Sequence, residues 1–224
     1  MMVCSQQWNI AVLQVKNWSL TGNNMRTMLL LLLFCTPLSA LQWQQVKIKQ
    51  GIEVYQQKLP DGLLKLKAYT VTSGCLAAFE ALLLDTDNAD KWLSNVDSVN
   101  VLKSPSQNEH IVYTQFNAPW PIKNRDMVTY SRIFRTSNRQ MQIGIQAANN
   151  EYAKRDGFIR IEHVAASWVI TQRDADTISV EYQAIADPAG KIPHWLGNSV
   201  AKSNVFSTFK KMKARLKLYP CSAI

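Results

Sequence analysis

The side chains able to carry out catalysis or bind a metal ion are few and widely spaced. The three histidines, His110, His163 and His194, form no H-E-x-x-H or other metal-ligand spacing. Residues 197–201 (GNSVA) contain the serine of a hydrolase nucleophile turn, but the final glycine is missing and the segment lies inside a helical pattern. No phosphate-binding or dinucleotide-binding glycine motif is present in the sequence. The sequence therefore predicts no catalytic residue, no metal ion and no organic cofactor.

A short apolar run near the start of the chain is typical of an export signal. Residues 28–34 (MLLLLLF) are too few to span a bilayer as a helix, and Arg26 supplies the positive charge in front of them. Small residues near Ala40 suit signal peptidase, so we predict cleavage after Ala40. A buried apolar helix or an uncleaved anchor remains an alternative. Lipidation of Cys35 is disfavoured because the residues before it are large.

The predicted signal divides the chain into three parts. Met25 stands directly before Arg26, so we interpret residues 25–40 as the signal peptide and residues 1–24 as upstream sequence outside the true reading frame. Residues 41–224 then form one domain, which we expect in the periplasm or secreted. Cys75 and Cys221 are the cysteines that this domain would keep. In an oxidising compartment two cysteines favour a disulfide, whereas two unpaired thiols too far apart to bridge are the alternative.

The composition favours a globular, basic domain. Of 224 residues, 47% are hydrophobic and 18% charged, which suits a packed core. The formal net charge is +9, but the one dense basic run, residues 210–217, has no accompanying nucleic-acid motif. We therefore predict no nucleic-acid partner. The basic run predicts either a transient contact with an anionic membrane or a solvated helix face, and we expect a monomer.

Alternating and helical patterns predict the order of the elements. Residues 52–59 and 64–71 read as a hairpin. A helix follows, with Ser73 as its cap, and then a short helix at 89–95 that buries Trp92. We predict further strands at 99–102, 109–117, 127–136, 141–147, 158–171 and 177–186. Short connections between successive strands indicate antiparallel pairing.

A long amphipathic helix ends the chain. Pro193 suits its first turn, and one apolar stripe follows with spacings of four and three: Gly197, Ala201, Val205, Phe209, Met212 and Leu216. The fold class is therefore α+β, with a curved antiparallel sheet wrapped around the terminal helix. Because the stripe begins with small residues, we expect an internal cavity between the sheet and the start of this helix.

Four segments in order resemble the START family, the steroidogenic-acute-regulatory-related lipid-transfer domains. Across residues 43–218 they are G-I-x-V-Y at 51–55, Asp85 followed by Trp92, P-W-P at 119–121 with Arg125-Asp126, and D-P-x-G-x-I-P-x-W-x-x-N at 187–198. The resemblance implies a helix-grip fold with a deep cavity beneath the last helix. It also implies binding or transfer of one apolar ligand, such as a sterol or phospholipid. A cyclase- or aromatase-like enzyme and a ligand-sensing module are the alternative functions.

The candidate ligand-binding residues belong to three regions. On the central strands, one possible inner face holds Tyr130 and Arg132, and a slip of one residue would turn Arg132 to the surface. Tyr113 and Gln115 on the preceding strand could make polar contacts with a ligand, and Trp168 on the long strand at 158–171 could form part of the cavity wall. On the last helix, candidates include residues at its start, where a lid would open, and residues that face the cavity. The candidates beyond the central pair are Tyr113, Gln115, Trp168, Trp195, Asn198, Ala201, Val205 and Phe209.

Overall fold

The computed structural model describes residues 42–118, 120, 122–190 and 192–221. The predicted upstream extension, the predicted signal peptide, and the two prolines of the P-W-P motif lie outside these residues. Within the described ranges, no helix combines the length and apolar character needed to cross a bilayer.

Ten strands and two α-helices account for most of the described chain. The elements are β1 Gln44–Lys49, β2 Ile52–Lys58, β3 Leu64–Ser73, α1 Leu76–Leu84, β4 Val96–Ser106, β5 Glu109–Phe116, β6 Arg125–Ser137, β7 Gln140–Ala147, β8 Ile159–Arg160, β9 Val164–Gln172, β10 Thr177–Ala186 and α2 His194–Leu216. Short 3-10 helices occupy Thr86–Lys91 and Asn149–Glu151.

The strands form one sheet in the order β1-β2-β3-β10-β9-β7-β6-β5-β4. Neighbours along this path pair antiparallel, and β8 adds a short parallel pairing to β6. Pairing of β3 with β10 joins the first three strands to the last strand, and β1 and β4 lie at the two edges. Helix α2 packs against β2 and β3. The predicted α+β helix-grip fold is therefore confirmed.

Three local predictions were wrong. Strand β1 was not predicted, because its polar residues are all exposed and it pairs only with β2. Residues 158–171 are not one strand, since β8 pairs with β6 whereas β9 pairs with β7 and β10. The cap of α1 is Cys75 rather than Ser73, because the Cys75 Sγ accepts a hydrogen bond from Ala78 N at 3.4 Å.

The hydrophobic core centres on Trp168 of β9. Its ring lies 4.4 Å from that of Tyr182 and 5.7 Å from that of Phe209, and it also contacts Phe79 and Trp92. These neighbours come from β10, α2, α1 and the segment after the first 3-10 helix. One aromatic residue therefore joins the sheet to the helices on its concave side.

Candidate ligand-binding cavity

A cavity of about 460 Å³ lies between the inner face of the sheet and α2. This volume falls within the range of small-molecule sites in proteins, about 300–1,000 Å³. Most of its wall is apolar, with side chains from β3, β5, β6, β7, β9, β10 and both helical regions. A nonpolar ligand gains about 25 cal/mol for each Å² of apolar surface removed from water. The cavity can therefore stabilise the apolar part of a ligand.

The roof of the cavity comes from the predicted stripe of α2. Gly197, Ala201, Val205 and Phe209 all line it, at the spacing expected for one helix face. Asn198 lines it as well, and its amide donates to Gly62 O at 3.3 Å, which attaches the first turns of α2 to the β2–β3 turn. The structure therefore places the predicted α2 residues, apart from Trp195, at the cavity.

Trp168 lies at the boundary between the cavity and the core. It lines the cavity and is only 4% exposed, because Phe209 stacks on it and Tyr182 packs beside it. Its predicted position in the wall agrees with the structure. A ligand filling the cavity would contact this ring, so its fluorescence offers a direct signal of occupancy.

The inner faces of β5 and β6 consist of the residues that alternate with the predicted ones. Val112, Thr114 and Phe116 of β5 line the cavity, as do Met127, Thr129, Ser131 and Ile133 of β6. These residues share one face because side chains alternate along a strand and the register pairs Thr114 with Met127 and Val112 with Thr129. The cavity wall here is mainly apolar, with hydroxyl groups at three positions.

The four predicted residues of β5 and β6 lie on the opposite, outer face. Tyr113 is buried there and its hydroxyl donates to Asp126 Oδ2 at 3.0 Å. Gln115 accepts from Ser98 at 2.9 Å, and Tyr130 donates to Glu109. Arg132 is exposed and pairs with the same Glu109 at 3.8 Å. The face suggested for the cavity was therefore wrong by one residue in both strands.

This error has a physical cause, because both faces of β6 are covered. On the outer face the chain after β7 packs over the sheet, and the Tyr113 ring lies 4.8 Å from that of Tyr152. Val128 and Thr129 point to opposite faces, yet both are buried. Polarity along such a strand does not distinguish the inside from the outside. Only the pairing partners determine which face meets α2.

Trp195 is 72% exposed and does not line the cavity. It lies at the start of the last helix, as predicted, and its suggested role at a lid stays a prediction. It lies in the first turn of α2, where Pro193 is the N-cap residue and the chain has just left the sheet. At this point the apolar stripe has not begun, and the indole projects into solvent.

The comparisons with known proteins agree with this geometry. The model of the START domain matches residues 38–221, which is most of the chain. The chain belongs to the START-domain family. A solved START structure, the STAR-related lipid transfer protein of Xanthomonas axonopodis, superposes with a TM-score of 0.72 at 27% identity, covering 78% of this chain and 98% of that one.

Two curated relatives extend the match to full-length sequences. A phosphatidylcholine transfer protein of mouse is 26% identical over 182 residues, which cover 78% of this chain and 84% of that protein. An uncharacterized protein of Pseudomonas aeruginosa is 26% identical over 178 residues, covering 78% of this chain and 87% of the other. The START domain here therefore has relatives of similar length in bacteria and mammals.

Trp92, His110 and Tyr182 are further wall residues with polar groups that were not predicted as site residues from the sequence. The Nε2 atom of His110 and the Nε1 atom of Trp92 are buried without a hydrogen-bond partner among the described residues. Burial raises the pKa of Tyr182 to about 12. Alternation along β10 places Tyr182 on the same face as Ile178 and Val180, so the sequence pattern did contain a signal for it. His110 lies on the face that was assigned to the outside.

Arg125 also lies in the wall without having been predicted there, and it opens β6 on the inner face. It is 6% exposed and borders both the cavity and an adjoining space, here called the outer pocket, lined by Ile122, Lys123, Arg125, Ile159, Gly190, Ile192, Pro193 and Leu196. Burial lowers the pKa of its guanidinium. Arg125 and its neighbour Asp126 do not pair, because their side chains leave the strand on opposite faces and Asp126 pairs with Arg160.

The end of the START domain is attached to α1. Cys75 and Cys221 form a disulfide with their Cα atoms 5.7 Å apart, which decides between the two alternatives left open by the sequence. Tyr219 donates to Asp85 Oδ2 at 2.6 Å in the same region. Both contacts follow the C-terminal end of α2, so this end of the helix is held to the first helix of the domain.

Proposed function

We propose that this START domain binds one lipid molecule in the cavity beneath α2 and transfers it between membranes. The observation that carries this proposal is the cavity of about 460 Å³ with its mainly apolar wall. Its relatives include a phosphatidylcholine transfer protein and a STAR-related lipid transfer protein, which is consistent with the same use of the cavity. We propose binding rather than catalysis, because the charged and titratable groups of the described wall are Arg125, His110 and Tyr182, without a carboxylate among them.

Occupancy tests this proposal directly. Residues 41–224, expressed with export, would be measured by native mass spectrometry before and after incubation with mixed phospholipid vesicles. We expect one lipid per protein. A protein that remains empty under both conditions would refute lipid binding.

Ala201 provides a variant that blocks the cavity. Ala201→Leu adds bulk where the stripe of α2 faces the ligand, and overpacking costs about 1–3 kcal/mol. We expect lipid affinity to fall by about one to two powers of ten. Ala214→Leu is the matched control, since Ala214 lies exposed on the same helix. Equal loss in both variants would contradict ligand binding at this wall.

We further propose that lipid enters at the Arg125 end of the cavity, with the surrounding loops on the membrane. Trp120 is 92% exposed in the β5–β6 loop, and Trp195 projects from the start of α2. Trp195 directly precedes Leu196 of the outer pocket, and Trp120 lies two positions before Ile122 of the same pocket. Lys123 lines this pocket and is exposed. Tryptophan favours the membrane–water interface, and lysine favours anionic lipid.

Variants of the proposed docking residues should change the rate of lipid transfer without changing the affinity for lipid. In Trp120→Ala/Trp195→Ala we expect slower lipid transfer between anionic vesicles and weaker vesicle sedimentation, with lipid occupancy at equilibrium unchanged. Replacement of Lys210 and Lys211 tests the alternative that the basic face of α2 makes the contact. A defect only in the lysine variant would favour that face instead.

We also propose that the domain acts in the periplasm or outside the cell, after cleavage near Ala40. The disulfide supports this location, because disulfides persist in oxidising compartments. N-terminal sequencing of the protein recovered from the periplasmic or culture fraction tests it. Recovery of the full-length chain in the cytoplasm would contradict export.

A further inference from the structure

Arg125 is a buried cation whose partners in the protein are all neutral. Its Nε donates to Pro188 O at 3.3 Å and its Nη2 to Ala189 O at 3.4 Å, and Nη1 contacts Lys123 O. The first two distances are longer than a typical N–H···O bond of about 2.9–3.0 Å. Within the described part of the chain no carboxylate forms an ion pair with this guanidinium. Its positive charge is therefore uncompensated.

Arg160 is a second buried arginine of the same fold, and it is paired with a carboxylate. Arg160 is 5% exposed, like Arg125, but Asp126 accepts two bonds from it at 2.9 and 3.0 Å. The carbonyl oxygens of Tyr152 and Ala153 complete its partners. The comparison indicates that Arg160 holds the outer segment in place, whereas Arg125 lacks the one partner that a buried cation requires.

Asp187 is the carboxylate nearest in sequence to Pro188 and Ala189, and it forms a hydrogen bond within its own loop. Asp187 Oδ1 accepts from Ala189 N at 2.9 Å, as expected for an aspartate at the head of a turn. Arg125 instead borders two empty volumes, the cavity and the outer pocket. A guanidinium has five N–H donors, of which three carbonyl contacts use only part. The remaining donors are available to a ligand.

The position of Arg125 suits the polar end of an elongated molecule. From Arg125 to Ser131, the inner face of β6 extends over six residue steps, or about 20 Å at 3.3 Å per residue. Met127 and Thr129 line this length, and Val112 and Thr114 of β5 lie opposite. An acyl chain would lie along this wall with its head at Arg125.

We propose that Arg125 binds the anionic group, carboxylate or phosphate, of an amphiphile whose apolar tail fills the cavity. This inference rests on the proposed lipid-binding function and narrows its ligand class. Guanidinium recognises both anions through paired N–H donors. Exposed Lys123 at the outer pocket adds to the positive potential through which the anion approaches.

Matched pairs of ligands test this on the unaltered protein. We would measure dissociation constants at pH 8 by tryptophan fluorescence for oleate against oleyl alcohol, and for oleoyl lysophosphatidate against monooleoylglycerol. We expect the anionic member of at least one pair to bind ten times more tightly or better. Preference in the first pair identifies a carboxylate ligand, and preference in the second a phosphate ligand.

Two variants assign the preference to Arg125. Arg125→Gln should bring the affinities of the anionic and neutral members together, and Arg125→Lys should keep part of the difference. Arg132→Gln is the control, because Arg132 lies in the same strand on the exposed outer face. A preference that survives in Arg125→Gln would overturn the assignment. If that variant does not fold, the comparison of ligand pairs on the unaltered protein still decides.

The failures of the two proposals are distinguishable. Equal affinity for the charged and neutral members in both pairs would overturn the inference about Arg125 and leave lipid binding intact. Absence of binding for all four ligands, together with an empty protein in native mass spectrometry, would refute the proposed function itself.

Discussion

The two halves of α2 meet the sheet in different ways. Along its first half the helix presents Gly197, Asn198, Ala201 and Val205 to the cavity, and no residue from His194 to Val205 is fully buried. Along its second half the buried residues are Phe206, Phe209, Met212 and Leu216. The same face of one helix therefore borders empty space at one end and forms the core at the other.

Side-chain size explains much of this difference. The distance between a helix and a sheet is set by the side chains between them, so small residues leave a void that large ones fill. Close packing at the second half is visible at Gly74, where an added Cβ would lie 2.8 Å from the Leu216 side chain. Gly74 also has a φ of +145°, which side-chain-bearing residues rarely adopt.

Among the described residues, covalent attachment is confined to the end of the second half. The disulfide from Cys75 to Cys221 and the hydrogen bond from Tyr219 to Asp85 both follow this end. The first half is attached through hydrogen bonds of two side chains: Asn198 donates to Gly62 O at 3.3 Å, and Asn204 accepts from Asn95 at 3.0 Å. Local opening begins where buried contacts are fewest. We therefore expect α2 to open over the cavity from its N-terminal end.

Truncating one residue in each half should give unequal losses of stability. Phe209→Ala removes a fully buried ring stacked on Trp168 and should lower the free energy of unfolding by about 3–5 kcal/mol. Val205→Ala removes two carbons at the cavity, so we expect no more than about 1.6 kcal/mol. Urea unfolding of lipid-free protein measures both. Similar losses would break the distinction between the halves.

Removing the disulfide should weaken the attachment of the second half of α2 and leave lipid binding in the cavity unchanged. It joins residues 146 positions apart, and loss of a native disulfide typically costs about 2–4 kcal/mol. Cys75→Ser/Cys221→Ser keeps a good capping residue before α1. We expect a lower melting temperature that reductant does not change further. A melting temperature equal to that of the unaltered protein would show that packing alone holds this end.

The order of elements was predictable because local patterns and tertiary contacts agree. The stripe of α2 combines helical spacing with a change from small to large residues, and both features have structural consequences here. Strand β10 was predicted at its observed bounds, because its alternation follows one buried face. Strand β1 was not predicted because it is a short edge strand with only two apolar residues on one face, Val46 and Ile48, and both are exposed.

The cavity wall was only partly predictable. The predicted residues of α2 other than Trp195, and Trp168 of β9, line the cavity, whereas on β5 and β6 the outer residues were predicted in place of the inner ones, because burial on both faces removes the signal in polarity. Arg125 appeared in the sequence only as part of the family motif. Its free charge became apparent only because Arg160, 35 positions later, takes the carboxylate of Asp126.

The smallest expected effect is the pH dependence of the stability at the C-terminal end of α2. The hydrogen bond from Tyr219 is the main cause that lowers the pKa of Asp85, Asn88 adds to it, partial burial opposes it, and the charge of Arg215 also lowers it. A lowered pKa means that the folded protein binds this proton less tightly than the unfolded chain. The resulting stability is therefore present above the unfolded pKa of about 3.9 and is lost as the pH falls through the lower folded value.

Tyr219→Phe should remove most of this pH-dependent stabilisation. We expect the variant to melt below the unaltered protein at pH 6, and the difference between their melting temperatures to shrink as the pH approaches 3. Tyr69→Phe is the control, since its hydroxyl accepts from Arg173 and contacts no carboxylate. If the difference at pH 6 persists unchanged at pH 3, the hydroxyl of Tyr219 stabilises the end of α2 independently of the charge on Asp85. The ionisation of Asp85 would then contribute nothing to the contrast between the two halves of the helix.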